Sequence, residues 1–251
     1  MLEKKSEFTI HPITVLQDNI VWVWVHNCNA IVVDPSISSP VIQWLRDKNL
    51  SLQAILQTHH HDDHIGGTKE LVKRWPQAAV IASKNDIKRI PFQTFSVVNN
   101  DIFYLMGSKI QVIKVSGHTS NHIAFYISNK NAQQNILFPG DTLFGGGCGR
   151  LLEGTAAEMF ESLYKLNSFP ADTKIYPAHE YTEDNLKWAL TLKPKDISIS
   201  KRLKQVQKKR KKGITSLPST ISEERKTNLF LRAKNVEEFS TLRRHKDNWK
   251  C

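Results

Sequence analysis

The amino-acid sequence predicts an α/β domain followed by a helical C-terminal region. Short apolar runs of strand length recur up to about residue 180, segments with helical periodicity fall between some of them, and only helical periodicity continues afterwards. The chain has 251 residues, of which 40% are hydrophobic and 24% charged, enough for one large or two modest domains. This composition excludes a disordered, collagen-like or disulfide-rich protein.

The predicted strands are short runs that are rich in Val, Ile and aromatic residues and are closed by Asp, Asn, Gly or Pro. They comprise residues 8–15, 20–25, 30–33, 54–57, 110–115, 123–127 and 136–138. One helix is predicted after Pro40, because Val41 and Leu45 share a face, and a second is predicted after Gly67. This succession predicts a mixed α/β layer.

Two later helices are marked by their first residues. Thr155 and Glu158 have the spacing of a capping box, and Thr182 precedes two acidic residues that the helix dipole favours in a first turn. Further helices are predicted at residues 186–193, 199–212, 222–228 and 236–245. No strand pattern returns after residue 180, so we expect an α/β domain at residues 1–180 and a helical domain at residues 181–251.

Apolar length and cysteine number indicate the compartment. The most apolar run, residues 20–25, is far shorter than the ~20 residues that cross a bilayer, and the N-terminal residues MLEKKSEF lack an apolar signal core. Cys28, Cys148 and Cys251 are odd in number and widely spaced, which is typical of reduced thiols. We therefore expect a cytoplasmic protein that does not bind a membrane. A monomer is expected as well.

The positive charge is concentrated near the C-terminus. The formal net charge is +11, with −2 on residues 1–185 and +13 on residues 186–251. Residues 201–212 (KRLKQVQKKRKK) are the densest part. This asymmetry predicts an anionic partner, either a small acidic substrate or a nucleic acid. A solvated helix face explains the densest run equally well.

A histidine-rich loop at residues 59–64 (HHHDDH) lies between a predicted strand and a predicted helix. In an extended segment, residues two apart point the same way, so His59 and His61 can bind one metal ion together. Asp63 and His64 follow where the chain turns and can face a second ion. Imidazole with carboxylate is typical of Zn(II), Fe or Mn sites, whereas Mg or Ca sites use oxygen alone.

Three further ligand types follow later predicted strands. His118 stands in Ser-Gly-His-Thr, Asp141 in Pro-Gly-Asp-Thr, and His179 in Pro-Ala-His-Glu. Each lies just past an apolar run, where α/β folds gather their chemistry. Together with the first loop they form a set of seven candidate ligands.

The other histidines and two further aspartates are not expected to be metal ligands. Surface or outer positions are expected for His11, His26, His60, His122 and His245, because the spacing of the histidine-rich loop leaves them out. We expect Asp62 to be exposed or to lie outside the ligands, and Asp34 to support the loop by hydrogen bonding.

The H-x-H-x-D-H run with a later Gly-His-Thr, Gly-Asp-Thr and third His resembles the metallo-β-lactamase superfamily over residues 54–180. That resemblance implies an αββα sandwich with one or two metals at its edge. Within the superfamily, nearly the whole chain is similar to the glyoxalase II (hydroxyacylglutathione hydrolase) family. The segments that carry this similarity are 147–150 (GCGR), 153–155 (EGT), 179–182 (HEYT), 227–232 (TNLFLR) and 242–247 (LRRHKD).

The resemblance implies a role for each matching residue. One metal is expected on His59, His61 and His118, and the other on Asp63, His64 and His179. Asp141 is expected to bridge the two metals and, with Asp63, to serve catalysis. Glutathione contacts are expected from Arg150, Tyr181, Arg243 and Lys246. Two divalent ions are implied, with Zn(II) favoured and Fe or Mn as alternatives. Leu152 departs from the family, which often has an aromatic residue there.

The implied reaction is hydrolysis of S-(2-hydroxyacyl)glutathione, chiefly S-D-lactoylglutathione, to D-lactate and glutathione, the second step of methylglyoxal detoxification. Two dications lower the pKa of a shared water toward ~7 and can polarise a carbonyl oxygen. A thiolate leaves without a strong general acid because its pKa is ~8.5. The basic side chains match the carboxylates of glutathione in sign.

Two alternatives compete with this interpretation. A persulfide dioxygenase of the same fold would need a single iron and three protein ligands, and it lacks the glutathione-binding tail. A nucleic-acid-binding protein is suggested by residues 201–212, but no aromatic residues interleave that run.

Overall fold

The computed structural model describes residues 8–129 and 134–249. Its strands are β1 Thr9–Val15, β2 Asn19–His26, β3 Asn29–Val33, β4 Ser51–Leu56, β5 Ala79–Ser83, β6 Phe95–Val97, β7 Ile102–Leu105, β8 Ser108–Lys114, β9 Ile123–Asn129, β10 Gln134–Phe138, β11 Leu143–Phe144, β12 Gly147–Cys148, β13 Lys174–Ile175 and β14 Ser219–Thr220. Its helices are α1 Ser38–Asp47, α2 Asp62–Ile65, α3 Thr68–Arg74, α4 Ala156–Asn167, α5 Thr182–Leu192, α6 Ile197–Arg210, α7 Ile221–Thr227 and α8 Val236–Asn248. The N-terminal residues 1–7, which were expected to lack a signal core, and Cys251, which was expected to be a reduced thiol, lie outside the described residues.

Most strands belong to two six-stranded sheets. The first has the order β1-β2-β3-β4-β5-β6, antiparallel from β1 to β3 and parallel from β3 to β6. The second has the order β14-β13-β10-β9-β8-β7, in which β10 and β13 pair in parallel and the other neighbours are antiparallel. Strands β11 and β12 pair with each other.

The sheets pack face to face and are covered by helices on both outer sides. Along β2, Trp22 and Trp24 face the layer between the sheets, where they join Phe125 of the second sheet. Val21 and Val23 point the opposite way, into a cluster that includes apolar residues of α1 and α3. On the outer side of the second sheet, a third cluster combines α4 with the helices of the C-terminal region. The layers are therefore αββα, as the resemblance implied.

The predicted strands correspond to β1–β4 and β8–β10, and the predicted helix starts at Thr155 and Thr182 are confirmed. Strands β5, β6 and β7 were not predicted. The expectation that no strand follows residue 180 is wrong, because β14 pairs with β13, with Thr220 opposite Lys174. A strand of two residues has no periodicity, so only its pairing identifies it.

No helix among the described residues has both the length and the apolar character that crossing a membrane requires. The loops that follow β4, β8, β10 and β13 meet at one edge of the sandwich and carry the side chains described next.

Candidate metal centre

Seven histidine and aspartate side chains from four loops meet at this edge. The loop after β4 and the short helix α2 supply four of them, and the loops after β8, β10 and β13 supply one each. They are His59, His61, Asp63, His64, His118, Asp141 and His179. The structure brings together every side chain that the sequence suggested as a ligand.

The first group consists of three imidazoles. His61 Nδ1 lies 2.9 Å from His59 Nε2 and 3.1 Å from His118 Nε2. His59 and His61 are two residues apart in the segment that leads into α2, so their rings reach the same place. Three ring nitrogens therefore converge.

The second group consists of Asp63, His64 and His179. His179 Nε2 lies 3.4 Å from both His64 Nε2 and Asp63 Oδ2. His64 Nε2 lies 3.6 Å from the same carboxylate oxygen. Asn19 Nδ2 donates a hydrogen bond of 3.0 Å to Asp63 Oδ2, which holds that carboxylate toward the imidazoles.

Asp141 lies between the two groups, and each of its carboxylate oxygens faces a different one. Oδ2 is 3.4 Å from His118 Nε2 in the first group. Oδ1 is 3.5 Å from His64 Nε2 and 3.4 Å from His179 Nε2 in the second. This is the arrangement expected of a carboxylate that bridges two ions.

Outer hydrogen bonds determine which nitrogen of each imidazole faces inward. His118 Nδ1 lies 2.9 Å from the carbonyl oxygen of Arg150, and His179 Nδ1 lies 2.7 Å from Asp18 Oδ1. Because a carbonyl or carboxylate oxygen accepts, each Nδ1 carries the proton and donates it. The lone pair of each Nε2 therefore points into the cluster.

Asp34 orients the other two buried imidazoles. Its Oδ1 accepts from the Thr58 backbone N–H at 2.8 Å, and its Oδ2 accepts from the Thr58 hydroxyl at 2.7 Å and faces His64 Nδ1 at 3.1 Å. The Thr58 hydroxyl, which donates to Asp34, lies 3.1 Å from His59 Nδ1 and accepts from it. Asp34 occupies the supporting position that the sequence suggested.

These donors fit divalent metal ions. Lone pairs and carboxylate oxygens that face one another at 2.9–3.6 Å repel unless positive charge lies among them. The buried Oδ1 of Asp141 has no hydrogen-bond partner in the part of the chain that the structure describes. Imidazole nitrogen with carboxylate oxygen is typical of Zn(II), Fe or Mn sites, and two groups that share one carboxylate suit two ions.

Burial and charge oppose each other at the centre. Burial alone would raise the pKa of Asp141, but His64 and His179 beside it lower that pKa well below its usual value. Burial likewise opposes the charge on His64, yet the carboxylates of Asp141 and Asp34 raise its pKa well above the usual value. Burial, reinforced by the neighbouring His64, lowers the pKa of His59 far below its usual value. His59 is therefore a neutral imidazole, as metal binding requires.

Two glycines allow the ligand-bearing loops to approach one another closely. A Cβ at Gly149 would collide with the carbonyl oxygen of Asp141, and a Cβ at Gly140 would collide with the Thr58 hydroxyl. Gly140 also has a φ of 51°, in the left-handed region that favours glycine. Both positions therefore require a residue without a side chain.

A cavity of about 560 Å³ extends from the metal centre to the C-terminal helices. Its lining includes His118 and Asp141 at one end and all four predicted glutathione contacts, Arg150, Tyr181, Arg243 and Lys246. It also includes residues that the sequence did not suggest: Phe144, Asp184, Asn185 and Trp249.

Arg243 makes structural contacts that the sequence did not predict. It is only 4% exposed, and its Nη1 donates to the carbonyl oxygens of Cys148 at 2.9 Å and Gly149 at 3.4 Å. Its Nη2 lies 2.8 Å from Asp247 Oδ1. Arg243 therefore fastens helix α8 to the glycine-rich loop at the cavity wall.

Tyr181 and Leu152 both border this cavity. The Tyr181 ring stacks on the imidazole of His179, with centroids 4.9 Å apart and an interplanar angle of 3°. Burial, followed by the charge of Asp18, raises the pKa of its phenol, so the hydroxyl stays protonated and can donate. Leu152 is 60% exposed at the cavity rim and offers no hydrogen-bonding group.

The other histidines stay outside the converging groups. His122 is fully buried rather than at the surface; it stacks on His59 with centroids 4.6 Å apart and accepts from the Asp141 backbone N–H at 3.1 Å. His60 faces Arg89 at 3.2 Å, away from the ligand groups. Asp62 is exposed, as expected.

Sequence reasoning missed the residues that hold the ligands from outside. Asp18 lies just before β2 and Asn19 is the first residue of β2, yet they contact His179 and Asp63, which are far away along the chain. Thr58, whose hydroxyl lies 3.1 Å from His59 Nδ1, was not predicted to have a role either. No spacing pattern marks these residues, because their contacts arise from how the sheets pack.

Solved structures of low sequence identity share the fold. A metallo-β-lactamase from Staphylococcus aureus aligns with a TM-score of 0.73 and 20% identity, covering 99% of this chain and 69% of that one. The protein ETHE1 from Myxococcus xanthus aligns with a TM-score of 0.69 and 22% identity, covering 96% and 90%.

Curated relatives are much more similar in sequence. A hydroxyacylglutathione hydrolase from Prochlorococcus marinus (strain NATL2A) is 75% identical over 251 residues, with both chains covered completely. Another, from Parasynechococcus marenigrum (strain WH8102), is 51% identical over 245 residues, covering 97% of this chain and 98% of that one.

Two family models match overlapping parts of the chain. The metallo-beta-lactamase superfamily matches residues 13–199, and the hydroxyacylglutathione hydrolase C-terminus matches residues 180–249. With full-length relatives at 75% identity, the chain belongs to the hydroxyacylglutathione hydrolase (glyoxalase II) family of the metallo-β-lactamase superfamily.

Proposed function

We propose that this protein hydrolyses S-(2-hydroxyacyl)glutathione thioesters, chiefly S-D-lactoylglutathione, to D-lactate and glutathione. Family membership supports the reaction class, and the basic cavity beside the ligand groups supports the substrate class. The single observation that carries the proposal is Asp141, whose two oxygens face two separate donor groups at the end of that cavity.

The proposed ligands are His59, His61 and His118 for one metal, and Asp63, His64 and His179 for the other, with Asp141 between them. When bound, two divalent ions would supply an activated water at neutral pH and polarise the thioester carbonyl. Cys148 borders the cavity, but burial raises its pKa to about 11, so a neutral thiol stands there at pH 7. This supports hydrolysis by water rather than through a cysteine nucleophile.

The chain's own residues would bind and orient the substrate. Arg150, Arg243 and Lys246 all border the cavity and match the carboxylates of glutathione in charge. The protonated Tyr181 hydroxyl supplies a donor beside the metal centre. The glutathione thiolate leaves without a general acid, because its pKa is ~8.5.

We propose Zn(II) as the bound metal, with Fe or Mn as alternatives, in a cytoplasmic monomer. The division of labour would be a metal-binding domain at residues 1–180 and a glutathione-binding helical domain at residues 181–251. The positive C-terminal region is assigned to the anionic substrate and not to a nucleic acid. Binding of a labelled RNA that weakens with salt would contradict that assignment.

The first experiment is hydrolysis of S-D-lactoylglutathione, followed by loss of the thioester absorbance. Activity should disappear after chelation and return with Zn(II), and elemental analysis should give two metals per chain. Protein that contains two metals but does not hydrolyse the thioester would contradict the substrate. One iron per chain with oxygen consumption on a glutathione persulfide would favour the dioxygenase alternative.

A further inference from the structure

Two indole rings lie close to the ammonium group of Lys246 at the cavity wall. Lys246 Nζ lies 4.2 Å from the ring centroid of Trp249 and 5.6 Å from that of Trp188. It also donates to the carbonyl oxygen of Asp184 at 3.4 Å. Lys246, Trp249 and Asp184 all line the cavity, whereas Trp188 is fully buried behind them.

The inner indole is held firmly by its surroundings. Trp188 Nε1 donates to His245 Nδ1 at 3.0 Å. Its ring stacks on Phe230, with centroids 5.0 Å apart and an interplanar angle of 16°. Trp188 therefore forms a fixed inner side to the space that the Lys246 ammonium occupies.

The outer indole belongs to the residue that ends helix α8. The Trp249 backbone N–H donates to the carbonyl oxygen of Lys246 at 3.2 Å, and its φ of −77° and ψ of 129° turn the chain out of the helix. Its side chain is partly buried and borders the cavity. The helix end thus folds the indole back over the lysine three residues earlier.

This arrangement limits where a flexible lysine can point. A lysine side chain has four carbon–carbon torsions and loses considerable rotamer freedom when it binds a ligand. The negative face of an indole attracts an ammonium group within about 6 Å of its centroid. A lysine that is already held in the binding position loses less entropy when an anion arrives.

We propose that Trp249 is a positioning residue that holds the Lys246 ammonium in place for a carboxylate of the glutathione group. The inference rests on the proposed function, since it assigns Lys246 to the substrate. Trp249 acts through Lys246, so its contribution to binding requires that lysine.

The test compares Trp249→Leu and Trp249→Phe, each in the wild-type and in a Lys246→Ala background. Leucine keeps an apolar side chain without a π face, so Trp249→Leu should raise KM for S-D-lactoylglutathione about 3- to 30-fold, the range of a cation–π contact. The kcat should stay within about 2-fold, because the metal ligands are untouched. Phenylalanine keeps a π face and should recover part of the loss.

The double variants separate positioning from simple packing. In the Lys246→Ala background, Trp249→Leu should change KM less than about 2-fold, because the lysine that it acts through is gone. An equal rise in KM in both backgrounds, or no rise in the wild-type background, would overturn the proposal. Circular dichroism melting of each variant identifies any that fails to fold. If Trp249→Leu does, Trp249→Phe should still show a smaller rise in KM that disappears in the Lys246→Ala background, and a rise that persists there would overturn the proposal.

A binding measurement keeps this inference separate from the proposed reaction. Calorimetric titration with S-methylglutathione, which cannot be hydrolysed, should show the same dependence of the Trp249→Leu effect on Lys246. Such coupling in a protein that fails to hydrolyse the thioester would support the positioning of Lys246 by Trp249 while contradicting the proposed function. Absence of both binding and hydrolysis would overturn both.

Discussion

The charge state of a single residue at the metal centre depends on the residues around it. Asp141 is a carboxylate that is 7% exposed, and it faces three imidazole nitrogens at 3.4–3.5 Å. Positive charge at that point is what allows a buried carboxylate to remain ionised. A carboxylate is therefore required at position 141, and a neutral side chain at this position leaves both donor groups incomplete.

Asp141→Ala should lose metal from both groups and reduce hydrolysis by more than about 100-fold. This exceeds the loss typical of replacing a residue that only hydrogen-bonds to a metal ligand. Elemental analysis and the thioester assay measure the two effects. Asp62→Ala is the matched control, because Asp62 is an exposed aspartate next to the ligand Asp63. Retention of two metals by Asp141→Ala would contradict the bridging role.

Asp34 should matter although it is not itself a proposed ligand. Asp34→Asn keeps the shape and tolerates the left-handed φ of 49°, but it weakens the acceptor that faces Thr58 and His64. We expect a 10- to 100-fold loss of metal affinity, typical of an outer partner of a metal-binding histidine. Competition with a fluorescent chelator measures it, and the exposed Asp47→Asn should behave as wild-type.

Elements with a local signal could be predicted, whereas those defined by distant partners could not. Helix α4 begins where Thr155 and Glu158 form the capping box that their spacing predicts. Strand β14 has two residues and exists only because β13 lies beside it. The seven donors were predictable because they stand in dense motifs after apolar runs. The hydrogen bonds from Arg243 to the glycine-rich loop could not be predicted, because the carbonyl groups that it binds are about 95 residues away along the chain.

Glu180 joins the ligand-bearing loop after β13 to the segment before β14. Its carboxylate accepts from the Thr215 hydroxyl at 2.7 Å, the Ser216 N–H at 2.6 Å, the Ser216 hydroxyl at 2.7 Å and the Thr182 hydroxyl at 2.7 Å. Burial opposes the charge, but these donors lower the pKa of Glu180 below its usual value. The residue next to His179 thus anchors part of the C-terminal region.

Glu180→Gln places an amide N–H₂ among donors and should reduce the free energy of unfolding by about 1–3 kcal/mol, as expected for buried hydrogen bonds to a charged group. Urea unfolding measures the change. Glu183→Gln is the neighbouring control on α5 and should alter stability by less than about 0.5 kcal/mol. Equal destabilisation by both variants would argue against a special role for Glu180.

Glu153 makes a pH-dependent link between the loop after β8 and the loop before α4. Burial alone would raise the pKa of Glu153, but hydrogen bonds from Ser120 and Arg89 lower it to about 2. A depressed carboxyl pKa stabilises the fold fully above about pH 4.5 and loses that effect as the pH falls toward 2. The stability difference between wild-type and Glu153→Gln should therefore shrink over that interval.

Urea unfolding of the metal-free proteins from pH 7 to pH 3 measures this difference. Removing the metals first prevents proton competition at the ligands from contributing to the curve. Glu161→Gln, on the exposed surface of α4, is the matched control and should change the free energy of unfolding by less than about 0.5 kcal/mol. A Glu153→Gln difference that stays constant down to pH 3 would contradict the assignment.

Across the whole molecule, positive charge is concentrated in the C-terminal region, which also supplies part of the cavity wall. On α6 and its end, Lys201, Lys204, Lys208 and Lys211 recur at helical spacing and are all exposed. No carboxylate of the described residues lies within ion-pair distance of any of these four. Unpaired surface charge of one sign steers ions of the other sign from a distance.

A charge-reversed variant tests steering. Lys204→Glu, Lys208→Glu and Lys211→Glu together should lower kcat/KM for S-D-lactoylglutathione a few-fold at about 10 mM salt, where charges act over ~30 Å. The kcat should not change, because none of these residues lines the catalytic cavity. At about 1 M salt, where the range falls to ~3 Å, the variant and the wild-type protein should converge.

The control reverses three exposed lysines in the N-terminal half, Lys48, Lys69 and Lys73, and so changes the net charge by the same amount. If the location of the charge matters, kcat/KM at low salt should fall less in this control than in the α6 variant. Equal losses would mean that net charge alone sets the encounter rate. A salt-independent kcat/KM in the wild-type protein would instead mean that chemistry or product release is slower than encounter, and steering from α6 would then have no part in the rate.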